Sequence, residues 1–372
     1  MKWLQLKILG LSMAVAMLGW AQGTQQTVDQ QGQAPPALPA PEAAASPSFP
    51  LEVAGYVNFR YVNNDAFQDR NFYREYSASL FLSKTAGRWR FHSEFNADTQ
   101  PEYDSEGIHL FPRRPSLSVK LDNAFVNYNA RDWLQLQAGF LFIPAYWRTH
   151  RYQSTTLTVD EPAVDQNVFP TALKGGAIHG DKYWGDGGVS YMAYGGVDQL
   201  SEFQESSHSV QTERSQVIGG KLIFHVPSRQ FFRTFDVAVH RLHRTGADDR
   251  PDEFYGVELQ LSKSRFEVLG EFAHSSMNVV DGVRSYIRQG YYMQPSYRIT
   301  PKLFGVVRYD RLDRDSRYAD QNGLARMLAG ITYRPIPAIS LKAEVNRYQP
   351  GLARVPAYYG VTTSLVWFFN LP

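Results

Sequence analysis

From residue 51 onward the side chains alternate in character with a period of two, in segments unusually long for strands. From Gly87, the residues Trp89, Phe91, Ser93, Phe95 and Ala97 fall on one face. Arg88, Arg90, His92, Glu94, Asn96 and Asp98 fall on the other. Successive side chains of a strand point to opposite sides, so this stretch predicts a strand with one apolar and one wet face. A helix would gather Arg88, Phe91, His92 and Phe95 on one side and bury charge. The pattern recurs in DWLQLQAGFLF, GGKLIFHV, EFYGVELQLS, PKLFGVVRYD, AISLKAEVNR and VTTSLVWFF.

Sixteen such segments are predicted, near 53–63, 72–84, 87–98, 118–129, 132–142, 174–183, 187–198, 214–226, 232–243, 253–262, 264–275, 285–298, 301–311, 323–334, 338–348 and 357–369. Strands of soluble domains usually run about 5–6 residues. These run roughly 10–14, the reach a tilted strand needs to cross hydrocarbon. The connections alternate in length. KTAG, NARD, the stretch near Trp184-Gly185-Asp186, SKSR, ITPK and PIPA are short, and the stretch near Pro227 is somewhat longer. Long connections fall near 63–72, 99–117, 143–173, 199–213, 244–252, 276–284, 312–322 and 349–356. A transmembrane barrel has short turns at its periplasmic rim and long loops at its outer rim.

Hydrocarbon offers no water to unpaired backbone groups, so strands that cross it must close into a ring. Beyond the N-terminus there is no apolar run long enough for a spanning helix. The polar faces carry several charges in mid-segment, which a wide barrel would keep hydrated in its lumen. The apolar faces would meet lipid. Tyr61, Tyr128, Tyr309, Tyr333, Tyr359 and Trp367, near segment ends, would form interfacial girdles. The fold class is therefore all-β, a transmembrane antiparallel barrel of about 16 strands over residues 51–372.

The N-terminus has the form of a processing signal. Lys2 and Lys7 precede an apolar core over residues 8–20, and Gly19-Trp20-Ala21 offers small residues for a cut after Ala21. Residues 1–21 are thus read as a signal peptide. Residues 22–50 are rich in Pro, Ala and Gln, and are read as a periplasmic tether. The chain has 0 Cys, which excludes disulfides, thiol catalysis, Cys-ligated zinc, Cys-attached haem and lipoprotein anchoring. A net charge of +2 does not suggest a nucleic-acid partner.

These features resemble the outer-membrane porins of Gram-negative bacteria, and among them the phosphate-selective porin O and P family. The pieces that carry the resemblance are GYVNFRY, LDNAFVNYNARDWLQLQAGFLFIPAYW, KGGAIHGDKYWGDGGVSYMAYGG, GVVRYDRLD and SLVWFF. The resemblance implies a sixteen-stranded barrel and a third long loop that folds into the lumen and sets the constriction. That loop, 143–173, carries Arg148, His150, Arg151, Asp160, Glu161 and Asp165. With the wall residues Arg88, Arg90, Glu94, Lys120, Asp122, Lys221, Arg308, Asp310, Lys342 and Glu344, these are the candidate electrostatic filter. Charge of one sign in a narrow lumen sets ion preference. By face assignment, about 14 Lys and Arg line the lumen against about 10 Asp and Glu, which implies a weak anion preference.

Other constellations are thin. His240 and His243 in HRLHR are three apart, which on a strand separates them to opposite faces. His274 and Ser275 are adjacent and point apart, so no lipid-facing Ser–His pair with an orienting third group is evident. Asp310, Asp313 and Asp315 alternate with Arg, which favours solvated salt bridges over a cation site. The expected function is a passive diffusion channel for small hydrophilic solutes or ions, not an enzyme, with no cofactor and no metal. The expected partners are outer-membrane lipid, lipopolysaccharide and two further copies in a homotrimer. The alternative is a structural barrel that sheathes or docks a partner protein such as an electron carrier.

Overall fold

The computed structural model describes residues 51–371 apart from 65–71, 101–115, 146–154, 165–167, 205–208, 228–230, 246–250, 278–285, 314–322 and 352–355. The signal peptide and tether expected over 1–50 lie outside the described residues. Sixteen strands follow one another along the chain. They are β1 (Glu52–Asn64), β2 (Phe72–Ala86), β3 (Trp89–Gln100), β4 (Ser116–Arg131), β5 (Leu134–Phe142), β6 (Ala172–Trp184), β7 (Gly187–Gln204) and β8 (Ser209–His225). The second half comprises β9 (Thr234–Thr245), β10 (Pro251–Lys263), β11 (Phe266–Met277), β12 (Tyr286–Thr300), β13 (Leu303–Asp313), β14 (Gly323–Ile336), β15 (Ile339–Pro350) and β16 (Tyr358–Leu371).

Each strand pairs antiparallel with the next, and β1 closes the ring against β16 through pairs such as Val57 with Trp367. Closure leaves no edge, so every strand finds backbone partners on both sides. Among the described residues no helix is long and apolar enough to cross a membrane. Six of the connections at one rim are two-residue turns, 87–88, 132–133, 185–186, 264–265, 301–302 and 337–338. Gly87 and Gly185 supply the positive φ that tightens two of them.

The predicted segments and the observed strands coincide in number and order, with two local differences. The connection expected over 199–213 is mostly strand: β7 and β8 stay paired out to Gln204 opposite Ser209. A hairpin satisfies its own backbone groups, so a polar stretch can remain in the ladder without an apolar partner. Near Asp122 the register slips, with Glu94 opposite Asn123 but Phe95 opposite Leu121. The extra residue is a β-bulge that turns Asp122 and Asn123 to the same side.

The two faces divide as the alternation predicts. Val307, Met327, Ile331, Val345 and Val361 are exposed on the outside, Val307 by 50%. Tyr61, Tyr309 and Tyr359 are exposed near the loop rim. Tyr333 and Trp367 are exposed near the turn rim, where Tyr128 packs against Trp89 at 4.7 Å between centroids. The inner face departs from expectation. Arg308 and Asp310 are 0% exposed, and Lys342 and Glu344 are 4% and 3% exposed. These charges are not hydrated by an open lumen; they are buried under the loop that follows β5.

Candidate functional site

The described parts of that loop are 143–145, 155–164 and 168–171. They run inside the barrel and are held at two places. Strands β5, β6 and β7 approach one another closely beside the loop. Gly139, Gly175 and Gly196 stand in register on β5, β6 and β7, all facing inward. A Cβ at any of them would strike the backbone of the adjacent strand, and Gly139 has a φ of +143° that disfavours other residues.

The first anchor is apolar. Val164, Val168 and Phe169 pack with Leu141, Ile143, Leu173, Tyr194, Val217, Leu242 and Phe254 in a buried cluster. The Phe169 ring lies 4.5 Å from the His240 ring and 5.8 Å from that of Phe254. Water is excluded from this side of the lumen by side chains that alternation alone would assign to a wet face.

The second anchor is polar and lies against β13–β15. Glu344 accepts from the backbone N–H groups of Val159 at 2.9 Å and Asp160 at 3.2 Å. Arg308 donates to the Asp160 carbonyl at 2.8 Å, the Thr158 hydroxyl at 3.1 Å and the Glu161 carbonyl at 3.2 Å. Arg326 donates to Asp310 through two contacts of 2.9 Å and to the Glu161 carbonyl at 2.5 Å. Lys342 reaches the Thr156 hydroxyl at 2.8 Å, and Thr332 donates to the Leu157 carbonyl at 2.6 Å. The Asp160 carboxylate pairs with Arg60 from β1 and accepts from Tyr348 at 3.1 Å. Burial pushes the Asp160 carboxyl up, but Arg60, Arg326 and Arg308 outweigh it and hold it below the ordinary carboxylate range.

Of the sequence-predicted residues, Arg308, Asp310, Lys342, Glu344, Asp160 and Glu161 thus meet in one network. Lys221 lies elsewhere, with its ammonium 2.9 and 2.8 Å from the two Glu258 oxygens. Glu94 is buried and accepts from Asn123 at 2.6 Å. Lys120 and Asp122 pair at 3.5 Å, and Arg90 is half-buried on the inner face. Arg88 is not on the wall: it sits in the two-residue turn behind Gly87, and its carbonyl accepts from Asn129. Arg148, His150, Arg151 and Asp165 lie outside the described residues.

Several functional partners were hidden in the sequence. Arg326, Arg60 and Tyr348 converge on the loop only through barrel closure. His240, Glu258 and Glu271, from three adjacent strands, place ligand-type atoms within 4.8 Å of one another. The Lys221 ammonium already supplies a cation to that cluster. His243 faces the other way and pairs with Glu253 at 2.7 Å, as the spacing requires. His274 stacks on Tyr255 at 4.5 Å, while Ser275 is buried on the inner side. Asp313 pairs with the exposed Arg311 at 3.5 Å, whereas Asp310 is fully buried.

A Ser–His–Asp chain does exist on the lumen side. Ser190 Oγ is 2.8 Å from His225 Nε2, and His225 Nδ1 is 2.9 Å from Asp236 Oδ1. Ser190, His225 and Asp236 sit on β7, β8 and β9 near the turn rim, so only the register creates the group. The strand amides around Ser190 are committed to pairing, which leaves them unavailable to stabilise an oxyanion. The chain therefore acts as a wall hydrogen-bond ladder.

A closed ring of sixteen antiparallel strands, apolar outside and crossed within by a pinned loop, defines a β-barrel of the outer-membrane porin fold. Solved structures share it. The chain is similar to the outer membrane channel DcaP of Acinetobacter baumannii, with 12% identity, a TM-score of 0.57, and coverage of 86% of this chain and 97% of that one. An anion-selective porin from Comamonas acidovorans matches at 10% identity and a TM-score of 0.59, over 87% and 100% of the two chains. OmpF of Salmonella typhi matches at 12% identity and a TM-score of 0.55, over 86% and 97%. No family model and no curated relative matches the chain.

Proposed function

We propose that the chain is an outer-membrane porin, a passive diffusion channel for small hydrophilic solutes. The observation that carries this reading is the loop pinned inside the closed ring. It narrows the lumen from one side, while inward side chains nearer the turn rim, including Arg90, His92, Gln135, His179, Asp181, His225 and Asp236, keep part of their surface exposed. A partner protein sheathed in the lumen would compete with that loop for the same space, which favours the channel over the docking reading.

Ion preference is set by charge that faces the path. Lys221, Arg308, Arg326 and Arg244 are each tied to carboxylates of Glu258, Asp310, Asp160 or Asp252. Paired and buried, they contribute little field of either sign. This supports weak anion preference at most, and general diffusion rather than phosphate selectivity. A homotrimer embedded in lipid and lipopolysaccharide, exported by the 1–21 signal and tethered by 22–50, completes the proposal.

Single-channel recording of the purified protein in planar bilayers tests it. Steady ohmic steps and a small reversal potential in a KCl gradient are expected. A barrel that inserts but carries no current would remove the channel reading. Strong cation selectivity would remove the anion preference alone. Mass spectrometry of the mature N-terminus reads the predicted cut, and chemical cross-linking reads the trimer.

A further inference from the structure

The wall beneath the loop carries more positive than negative charge. Arg308 on β13, Arg326 and Arg334 on β14, Lys342 on β15 and Arg60 on β1 face inward there, against the carboxylates of Asp310 and Glu344. The register gathers them. Arg326 stands opposite Asp310 on one side and Tyr348 on the other. Lys342 stands opposite Thr332 and Ser364, and Ser364 stands opposite Arg60 in turn.

The loop meets these cations largely with its main chain. Arg334 donates to the Thr155 carbonyl at 2.6 Å and the Thr156 carbonyl at 3.2 Å. Lys342 donates to the Thr158 carbonyl at 3.2 Å. The carbonyls of Asp160 and Glu161 accept from Arg308 and Arg326. A carbonyl satisfies an N–H donor but carries no net charge, so the cations keep theirs. Asp160 adds a carboxylate, seated among Arg60, Arg326, Asn346 and Tyr348. A file of loop oxygens thus fills the donor sites of a cationic wall.

Those donors are the ones a multivalent oxyanion requires. Guanidinium forks match carboxylate and phosphate oxygens, and the excess of positive charge repels cations. At rest the site is shut, since Arg308, Arg326 and Lys342 are 0%, 6% and 4% exposed. The loop belongs to the same chain, so its effective concentration at the wall exceeds that of a free solute. An oxyanion gains access only in the fraction of molecules whose loop has lifted, which lowers its apparent affinity by that fraction.

We propose that the loop masks a cryptic oxyanion site, with Asp160 seated in place of the ligand's carboxylate, and that lifting the loop turns a weakly selective channel into an anion-selective one. The inference rests on the channel reading and adds a ligand class and a second state to it.

The test uses Asp160→Asn in the full chain, with Asp98→Asn as its charge-matched companion. Asp98 faces inward on β3, opposite Ser77 and Ser118 and away from β13–β15. Reversal potentials are measured in a KCl gradient in planar bilayers, and citrate is then titrated against the single-channel current. Asp160→Asn is expected to raise the chloride-over-potassium permeability ratio several-fold and to gain a saturable citrate block. Asp98→Asn is expected to stay near the parent, and neither to be blocked. Tyr348→Phe removes a donor to Asp160 but no charge, and is expected to shift the ratio in the same direction by less. Heat-modifiable gel mobility reports folding of each barrel. If Asp160→Asn does not fold, Tyr348→Phe takes its place, and an unshifted ratio there overturns the mask. Equal shifts in the two Asp variants, a folded Asp160→Asn channel that citrate does not block, or block by spermidine instead would overturn the mask and leave the channel standing. Absence of current in every barrel would overturn the channel itself, and the mask with it.

Discussion

The Arg308 guanidinium donates at 2.8 Å to the main-chain carbonyl of Asp160, a residue 148 positions earlier in the chain. Through this contact β13 holds the loop that crosses the lumen. The same guanidinium reaches Asp310 at 3.0 Å, so charge on the wall is both neutralised and used as a clamp.

Removal of one partner from such a buried network leaves the others uncompensated, at a cost of about 3–5 kcal/mol. Asp160→Ala strips Arg60 and Arg326 of a carboxylate and Tyr348 of its acceptor. The loop is expected to detach while the ring of strands persists. Larger and noisier single-channel currents with unchanged heat-modifiable mobility are the readout; a current identical to that of the unsubstituted protein would count against the clamp.

The same carboxylate sets an acid limit. Its folded value lies below its ordinary one, so its contribution is complete above about pH 5 and is lost as pH falls below about 4. Channel conductance is expected to become unsteady as the pH is taken from 7 to below about 4. Asp160→Asn is expected to be unsteady throughout that range.

The apolar anchor predicts a separate loss. Phe169→Ala empties a site bounded by His240 and Phe254, and large-to-small changes of this kind cost about 3–5 kcal/mol. Limited proteolysis is expected to cut within 143–173 in this variant and not in the parent.

On β10, Gly256 faces His240 across the strand pair, and a Cβ there would collide with the imidazole. Gly256→Ala is expected to destabilise the barrel by about 1–3 kcal/mol, the usual range for overpacking. The added substitution His240→Ala is expected to recover most of that. Urea midpoints of the two variants decide the matter: no recovery would mean that backbone strain, not the ring, is the cause.

On the channel reading the outer face meets lipid and is intolerant of charge. Val307→Arg places a cation in mid-strand on the outer face and is expected to cost about 2–4 kcal/mol in bilayer-folded protein. Folding yield in vesicles against that in detergent micelles measures it, and equal yields would argue that Val307 does not meet lipid.

Alternation determined the strands. Leu303, Val307 and Tyr309 against Lys302, Arg308 and Asp310 already assigned a greasy and a polar face to one segment, because a strand turns each side chain opposite to the last. The short turns and long loops determined the antiparallel ring for the same local reason. What the polar face does was decided elsewhere. Whether Arg308 lines water or grips a loop depends on Asp160, whether Glu94 stands free depends on a bulge at Asp122, and whether Ser190 meets His225 depends on the pairing of β7 with β8. Those contacts join residues far apart in the chain, so no local pattern encodes them. They exist only once the ring has closed and the loop has entered it.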